Sequence, residues 1–219
     1  MNKFFVFDLD GTLIDTLAGI QVALNTTLKE FNYKINNYTK EQVKTFIGGG
    51  AERMFRLATN GEGTKEQFSR YLVNYSKYQL ISEPFPGVKE TLKELQNRGY
   101  KLLIYSNKPH DVLVELINAK MSEIDFIAVQ GNDFVHPPKP NVQLLNEIML
   151  KNNLNPEDGY YVGDSKFDIM TSRNAHLRSI IVSYGYEDQK IFNDINYKCD
   201  YYINSFEEIL NILWNAMKS

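Results

Sequence analysis

Short apolar runs alternate with stretches of helical periodicity along most of the chain. Six of these runs are rich in β-branched or aromatic residues and predict buried strands, at residues 4–7, 102–105, 126–129, 160–162, 180–182 and 201–203. Between the runs, apolar residues recur every three or four positions, which is typical of amphipathic helices. Strands that alternate with helices predict an α/β fold with a doubly wound parallel sheet and right-handed crossovers.

The residues between the first and second predicted strands show no strand-like run, so 16–82 is predicted to be entirely helical. Within this segment, residues 39–42 and 64–67 both match the capping-box pattern that starts helices. We therefore expect a small helical cap domain at 16–82, inserted over the carboxyl edge of the sheet. Residues 1–15 and 83–219 then form a Rossmann-like core.

Three expectations concern the ends of helices. Helical periodicity begins at Leu13, and Asp15 is placed either to cap this first helix or to face a site at the sheet edge. Near the end of the chain, Ser205 and Glu208 have capping-box spacing. They predict a closing helix whose apolar face extends to Met217.

Composition and charge narrow the class of protein. A chain of 219 residues with 43% hydrophobic and 23% charged residues fits one globular domain with a smaller insertion. The net charge of -3 gives no reason to expect nucleic acid or an anionic membrane as a partner. A single cysteine excludes an internal disulfide and fits a reducing compartment. Because the first apolar run is interrupted early and no stretch has the length of a membrane span, we expect a soluble cytoplasmic protein.

Two carboxylates end the first predicted strand. Asp8 and Asp10 are one residue apart, on the same side of an extended chain, and Gly11 and Thr12 follow them. Ligands of open α/β sheets bind at this carboxyl edge. Two negative charges so close together repel unless a cation or a proton lies between them. The spacing therefore suits a divalent metal with a nucleophile and an acid/base, although solvated loop aspartates can show the same pattern.

Three further polar clusters follow predicted strands or lie in loops at the same edge. They are Ser106 with Asn107, the single Lys139, and Asp164 with Asp168. Each has a plain alternative: a turn residue, a solvated lysine in a proline-rich loop, or an acidic residue at a helix N-terminus. Their joint occurrence at one edge favours a functional site.

Taken together, these clusters resemble the conserved motifs of the haloacid dehalogenase superfamily of phosphatases. The matching stretches are Asp8-Leu9-Asp10-Gly11-Thr12, Ser106-Asn107-Lys108, Lys139-Pro140 and Gly163-Asp164-Ser165-x-x-Asp168. Within the superfamily the chain looks like the phosphoglycolate phosphatase-like branch, which has a helical cap inserted after the first motif. The resemblance extends from residue 4 to about residue 215.

The resemblance implies a role for each charged residue of the motifs. Asp8 would attack phosphorus to form an aspartyl-phosphate, and Asp10 would act as the acid and then the base. Mg²⁺ would be held by Asp8, Asp164 and the main-chain carbonyl of Asp10, with Asp168 orienting a water on the ion. Lys139 would neutralise charge on Asp8 and on the transferring phosphoryl group.

The polar and small residues of the motifs are implied to bind or position the substrate. Ser106 and the Asn107 amide would hold phosphoryl oxygens, while Gly11 and Thr12 would position the first loop. These expectations complete the site at the sheet edge.

A second substrate-binding region is expected in the cap. Three consecutive glycines at 48–50 can mark a helix break, a surface linker, or a backbone that approaches a ligand closely. The stretch resembles the Gly-rich cap loop of phosphoglycolate phosphatases, which implies that Gly49 and Arg53 contact the substrate. Arg53 could bind a small carboxylate, although a solvent-facing helix arginine is the simpler interpretation.

The expected activity is Mg²⁺-dependent hydrolysis of a small phosphomonoester such as phosphoglycolate, by a monomer or homodimer. Dehalogenases of the superfamily lack an acid/base at the position of Asp10 and use no metal, so Asp10 with Asp164 favours phosphoryl transfer. A sugar-phosphate mutase, a pyrophosphatase and a nucleotidase of the same branch stay open. A non-catalytic regulatory binding protein is a further alternative, opposed by the intact set of motif residues.

Overall fold

The computed structural model describes residues 3–216, and a six-stranded parallel sheet lies at its centre. The predicted place of Met217 on the closing helix is outside the described residues. The strands are β1 (Phe4–Phe7), β2 (Ile14–Asp15), β3 (Glu83–Pro84), β4 (Lys101–Pro109), β5 (Phe126–Asn132), β6 (Gly159–Gly163), β7 (Arg178–Val182) and β8 (Tyr201–Ile203). The sheet has the order β5-β4-β1-β6-β7-β8, and its neighbouring strands pair in parallel. The predicted doubly wound α/β fold is confirmed.

Helices connect the strands and cover both faces of the sheet. They are α1 (Leu17–Glu30), α2 (Lys40–Lys44), α3 (Ala51–Ala58), α4 (Lys65–Gln79), α5 (Val88–Asn97), α6 (His110–Lys120), α7 (Gln143–Lys151), α8 (Lys166–Asn174) and α9 (Ile209–Ala216). Strand β1 shows why both faces are apolar. Phe5 and Phe7 pack into one hydrophobic cluster, and Phe4 and Val6 into another on the opposite face. All four side chains of the strand are buried, as expected for a central parallel strand.

The helical segment after β1 has a hydrophobic cluster of its own. Residues of α1, α3 and α4 contribute most of it, and Phe55, Tyr71 and Tyr75 form a stacked aromatic series with ring centroids 5.5 Å apart at each step. The predicted capping boxes at Thr39 and Thr64 are both formed, and they start α2 and α4. No residue range within 16–82 is assigned to a strand in the described chain, as predicted.

The predicted helix start at Leu13 was wrong. The backbone N–H groups of Leu13 and Ile14 both donate to the carbonyl of Leu9, which folds the chain into a tight turn after β1. Strand β2 follows this turn and pairs antiparallel with β3, so the segment that leaves the sheet and the segment that returns to it lie side by side. Helix α1 can therefore begin only at Leu17.

Two further differences concern the ends of elements. Strand β4 continues to Pro109, so Ser106 and Asn107 lie within its last residues instead of after it. At the end of the chain, the Ser205 side chain makes no capping hydrogen bond, and a 3₁₀ turn at Phe206–Glu208 precedes α9. The capping box predicted at Ser205 was therefore wrong.

In the part of the chain that is described, no helix has both the length and the apolar character needed to cross a membrane.

Candidate active site

The carboxyl ends of three neighbouring strands bring the predicted motif residues to one place. Strand β1 lies between β4 and β6, so Asp8 follows the central strand and Asp164 follows its neighbour. Carboxylate oxygens of Asp8, Asp164 and Asp168 all lie within 4.8 Å of one another, and the three residues are buried. The predicted edge of the sheet thus carries a compact acidic cluster.

Lys139 provides a positive charge inside this cluster. Its Nζ lies 2.8 Å from Asp8 Oδ1 and 2.7 Å from Asp168 Oδ1, and it donates to the Tyr161 hydroxyl at 3.1 Å. Burial lowers the pKa of this lysine, but attraction by Asp168 and Asp8 outweighs burial and raises the pKa well above its ordinary value. Lys139 is therefore a protonated cation beside Asp8.

Both carboxylate oxygens of Asp168 accept hydrogen bonds. Its Oδ2 accepts hydrogen bonds from the backbone N–H groups of Asp164 and Ser165 and from the Ser165 hydroxyl, at 3.2, 3.0 and 2.6 Å. Its Oδ1 accepts from Lys139, and the carboxylate closes a capping box at the start of α8. Because both oxygens have donors, Asp168 orients Lys139 and the loop after β6.

Two carboxyl groups of the cluster, those of Asp8 and Asp164, resist ionisation. Burial, and to a smaller extent the charge of Asp168, raises the pKa of Asp8 to about 6, against the opposing attraction of Lys139. Burial and the charges of Asp168 and Asp8 raise the pKa of Asp164 well above its ordinary value. The cluster thus holds more negative charge than Lys139 can balance.

This excess of negative charge fits a divalent cation. Among the described residues, Asp8 Oδ2 and Asp164 Oδ1 have no hydrogen-bond donor, while the other oxygen of each carboxylate is engaged by Lys139 or by the backbone of Tyr186. Carboxylate oxygens are the ligands that hard divalent ions prefer. The donor set and the charge of the cluster are therefore suited to such an ion.

The acidic cluster predicts an unusual pH dependence of stability. Asp8 holds its proton more tightly in the folded chain, where its pKa is about 6, than in the unfolded chain, where it is near 3.8. Stability from this group is thus present at low pH and decreases as the pH rises through about 4 to 6. In metal-free buffer we expect the melting temperature to fall between about pH 4 and pH 6, with little further change from this group at higher pH, and Mg²⁺ to raise it more at the higher pH.

Differential scanning calorimetry with EDTA or with Mg²⁺ measures this dependence. Asp8→Asn is the control, because it removes the titrating group and should reduce the slope of melting temperature against pH. A slope that is the same in Asp8→Asn would show that other groups cause the pH dependence.

Asp10 has a separate cationic partner. Its Oδ1 lies 3.0 Å from the Nζ of Lys108, whose side chain is fully buried while that of Asp10 is 14% exposed. The same Nζ contacts the hydroxyl of Tyr75 from α4 and lies 4.0 Å from the centroid of its ring. The sequence motif includes Lys108, but sequence reasoning assigned no role to it or to Tyr75.

Gly11 lies beside the acidic cluster, and Thr12 follows it in the first loop. Gly11 has a φ of +85°, and a Cβ there would lie 2.4 Å from Asp164 Oδ2. Only glycine therefore allows the first loop to pass this close to the acidic cluster. The Thr12 side chain is completely buried, and its hydroxyl has no hydrogen-bond partner within the described residues.

Ser106 and Asn107 are buried at the end of β4. The Asn107 side chain accepts from the backbone N–H of Lys139 at 2.7 Å and donates to the carbonyls of Gly48 and Lys139 at 3.1 and 3.3 Å. The Ser106 hydroxyl accepts from the backbone N–H of Lys108 at 3.3 Å. Asn107 thus joins the sheet edge to the lysine loop and to the helical segment, a role that sequence reasoning missed.

The glycine-rich loop lies opposite the sheet edge, across a cavity of about 480 Å³. Gly48 and Arg53 line this cavity together with Asp8, Asp10 and Asp164. Gly49, which was also predicted to contact substrate, lines a separate groove on the other side of Arg53. The loop is therefore close to the site, with only part of it facing the cavity.

Tyr186 is a further residue that sequence reasoning missed. Its backbone N–H donates to Asp164 Oδ2 at 2.6 Å, and its hydroxyl donates to Asp15 at 2.7 Å and accepts from the N–H of Thr16. Asp15 also accepts from the N–H of Leu17 at 3.3 Å, so it contacts the first turn of α1. The only sequence signal for Tyr186 is its position a few residues after a predicted strand.

Comparison with known proteins agrees with this fold. The haloacid dehalogenase-like hydrolase family model matches residues 5–182 of the chain, so the chain belongs to this family of hydrolases. Phosphatases of the family generally use a divalent metal, which the buried aspartate cluster could bind.

Relatives that match this chain over most of their length indicate the branch of the family. A phosphoglycolate phosphatase of Vibrio parahaemolyticus is 30% identical, with 96% of each chain covered. That of Vibrio vulnificus is 31% identical over 84% of this chain and 85% of its own. A crystal structure of a predicted phosphoglycolate phosphatase from Haemophilus somnus superposes with a TM-score of 0.82, at 28% identity, covering 96% of this chain and 97% of that one. The chain is thus an enzyme of the phosphoglycolate phosphatase-like branch.

Proposed function

We propose that the chain is a Mg²⁺-dependent phosphatase that hydrolyses phosphoglycolate or a similarly small phosphomonoester. The observation that carries this proposal is the pairing of Asp8 with Lys139 beside Asp164, on a cavity that Asp10 also lines. This arrangement offers a nucleophile, a fixed cation, ligands for a second cation and an acid/base. The relatives named above act, by their names, on phosphoglycolate.

Hydrolysis would proceed in two displacements at phosphorus. In the first, an Asp8 oxygen bonds to phosphorus, the bond to the leaving oxygen breaks, and Asp10 gives that oxygen a proton. In the second, Asp10 takes a proton from water, the water oxygen bonds to phosphorus, and the bond to Asp8 breaks. The same carboxyl group of Asp10 thus acts first as acid and then as base.

Other residues of the site would stabilise the transferring group. The Lys139 ammonium, fixed by Asp168 and Tyr161, would balance charge that builds up on Asp8 and on the phosphoryl oxygens. The Ser106 hydroxyl and the backbone amide of Asn107 would donate to those oxygens. Asp8, Asp164 and the main-chain carbonyl of Asp10 would hold Mg²⁺, which supplies positive charge that lowers the repulsion between two anions.

The helical segment would act as a cap. We propose residues 16–82 as this cap and residues 1–15 with 83–219 as the core, a division supported by the pairing of β2 with β3 where the chain leaves and rejoins the core. Closure would exclude water from the cavity and bring the loop with Gly49 and Arg53 toward the leaving group. A small phosphorylated metabolite in the cytoplasm is the proposed substrate.

Phosphate release from a panel of phosphate esters tests the proposal. Phosphoglycolate, pyrophosphate, a nucleoside monophosphate and glucose phosphates are compared, each with Mg²⁺ and with EDTA. We expect release that requires Mg²⁺ and is fastest with phosphoglycolate. If phosphate is released faster from pyrophosphate or from the nucleoside monophosphate than from phosphoglycolate, that compound and not phosphoglycolate is the substrate. Absence of release together with isomerisation of a glucose phosphate in the presence of its bisphosphate would identify a mutase.

A further inference from the structure

Lys108 is a buried ammonium at the boundary between the sheet edge and the helical segment. It projects from the end of β4, and its side chain has no solvent exposure. Asp10 and Tyr75 take up two of the three N–H donors that an ammonium group has. One donor is therefore left for a third partner.

A small cavity adjoins this ammonium. Its volume is about 30 Å³, and its polar side chains are those of Lys108, Asp10, Tyr75 and Asn107. Apolar side chains of the helical segment, Ile20 and Met54 among them, form much of the remainder. A space of this size holds one or two waters or a group as small as a carboxylate.

We propose that this cavity is the subsite for the carboxylate of the substrate, with Lys108 as the residue that selects a 2-phosphorylated hydroxy acid. The inference rests on the proposed phosphatase function, because it identifies which group of the leaving molecule the site recognises. In such a substrate the carboxylate carbon is two bonds from the oxygen that leaves phosphorus. Asp10, which would protonate that oxygen, is in direct contact with Lys108, so both ends of the leaving group meet adjacent side chains.

The environment of Lys108 favours a carboxylate over a neutral group. Burial lowers the pKa of this lysine, while the charge and hydrogen bond of Asp10 oppose that effect. Asp10 and Tyr75 leave one N–H donor of Lys108 beside the cavity, where an anionic oxygen of the substrate can accept it. Apolar walls keep water away from the pair, which strengthens a charge-assisted hydrogen bond.

Arg53, the cation that the sequence suggested for this role, is differently placed. Its Nη1 donates to the carbonyl of Phe46 at 3.3 Å, and its side chain lies between the large cavity and an outer groove. It is half-buried and does not line the small cavity next to Asp10. Lys108, which contacts Asp10, is therefore better placed than Arg53 to bind the leaving group.

The test compares two substrates that differ only at the carboxylate. Phosphoglycolate and 2-hydroxyethyl phosphate have the same phosphate and the same number of heavy atoms along the chain to the second carbon, but only the first is a carboxylic acid. We expect the wild-type enzyme to prefer phosphoglycolate in kcat/KM by about 10- to 100-fold, the range of one hydrogen bond between charged groups. Equal kcat/KM values would overturn the subsite and leave the phosphatase proposal intact.

Two variants assign the preference to a residue. Lys108→Met keeps the length of the side chain and removes its charge, and we expect the preference for phosphoglycolate to fall to within a few-fold of unity. Arg53→Met tests the other cation suggested for this role: whatever its effect on the rate with either substrate, it should retain the preference. A collapse of the preference in Arg53→Met alone would overturn the assignment to Lys108. An equal loss on both substrates in Lys108→Met would also overturn it, because Lys108 would then only position Asp10.

A measurement without any variant covers the case in which Lys108→Met does not fold. 3-Phosphonopropionate and 3-hydroxypropylphosphonate carry a methylene group in place of the bridging oxygen of the two substrates and cannot be hydrolysed. Their inhibition constants are compared on wild-type enzyme with p-nitrophenyl phosphate. We expect 3-phosphonopropionate to bind at least about 10-fold more tightly than 3-hydroxypropylphosphonate. Equal inhibition constants would overturn the subsite. If no phosphate ester is hydrolysed at all, the proposed function fails and not the subsite alone.

Discussion

Replacement of Asp8 by asparagine is expected to abolish phosphate release, with a loss of kcat on the order of 10⁴-fold or more. Asparagine has nearly the shape of aspartate, so the loop after β1 should keep its conformation. It is not an anionic nucleophile and cannot form an aspartyl-phosphate that water hydrolyses readily. The measurement is release of inorganic phosphate from phosphoglycolate under saturating substrate and Mg²⁺.

The same substitution should not destabilise the fold. Asp8 is a buried carboxyl group whose ionisation is opposed by burial and by Asp168, so an uncharged amide removes an unfavourable charge near neutral pH. Lys139 retains its ion pair with Asp168 at 2.7 Å. We therefore expect the metal-free variant to melt at the same temperature as the wild type or higher at about pH 7.5.

These two readouts separate chemistry from folding. Loss of activity with an undiminished melting temperature supports Asp8 as the nucleophile. Activity within about 10-fold of the wild type in the folded variant would contradict that role and direct attention to another nucleophile. Loss of activity together with a lowered melting temperature would instead contradict the charge balance that we infer for the cluster.

The central sheet could be predicted from sequence because its strands are short apolar runs with abrupt ends. Strand β1 is the clearest case, since all of its side chains are buried and Asp8 follows at once. Position at the end of a strand also placed Asp164 correctly beside Asp8, although the two residues are far apart in the chain. In a parallel sheet, strand ends alone bring such residues together.

The interactions of the lysines could not be predicted in the same way. Lys108 contacts Tyr75, which lies 33 residues earlier on a helix of the inserted segment, and no sequence periodicity relates the two positions. The end of β4 could not be predicted either, because Ser106 and Asn107 are residue types that favour turns. In the structure they are buried within the strand, which continues to Pro109.

The glycine-rich loop shows a third kind of difficulty. Its composition indicated a special backbone, and Gly48 and Gly50 do adopt φ values of +105° and +89°. Which of the three glycines faces the cavity depends on how the loop packs against Asn107, whose side chain donates to Gly48. That contact joins two distant segments, so the placement of Gly49 in a separate groove had no local signal.

A common pattern underlies the two buried lysines. Lys139 forms ion pairs with Asp8 and Asp168, and Lys108 forms one with Asp10, so each proposed catalytic carboxylate has its own fixed cation. A tyrosine hydroxyl contacts each ammonium, Tyr161 in one case and Tyr75 in the other. The two lysines differ in the elements that they contact. Tyr161 lies on β6 and Tyr75 lies on α4, so only Lys108 contacts a residue of the helical segment.

Substitution of Lys139 by methionine is therefore expected to impair both folding and activity. Removal of one partner from a buried ion pair leaves uncompensated charge, here on Asp8 and Asp168, and lowers the free energy of unfolding by about 3–5 kcal/mol. For a chain of this size the melting temperature should fall by roughly 10 °C. Loss of a fixed cation beside the phosphoryl group should lower kcat by a further factor on the order of 10²–10³.

Lys89→Met is the matched control for this substitution. Lys89 pairs with Glu123 at 2.8 Å, the same separation as Lys139 from Asp8, but both partners are about one-third exposed. Exposed ion pairs contribute at most about 1 kcal/mol, so the control should lose no more than a few degrees and retain its activity. Chemical denaturation and phosphate release are measured on both variants. Equal destabilisation of the two would contradict the view that burial, and not the ion pair as such, makes Lys139 essential to the site.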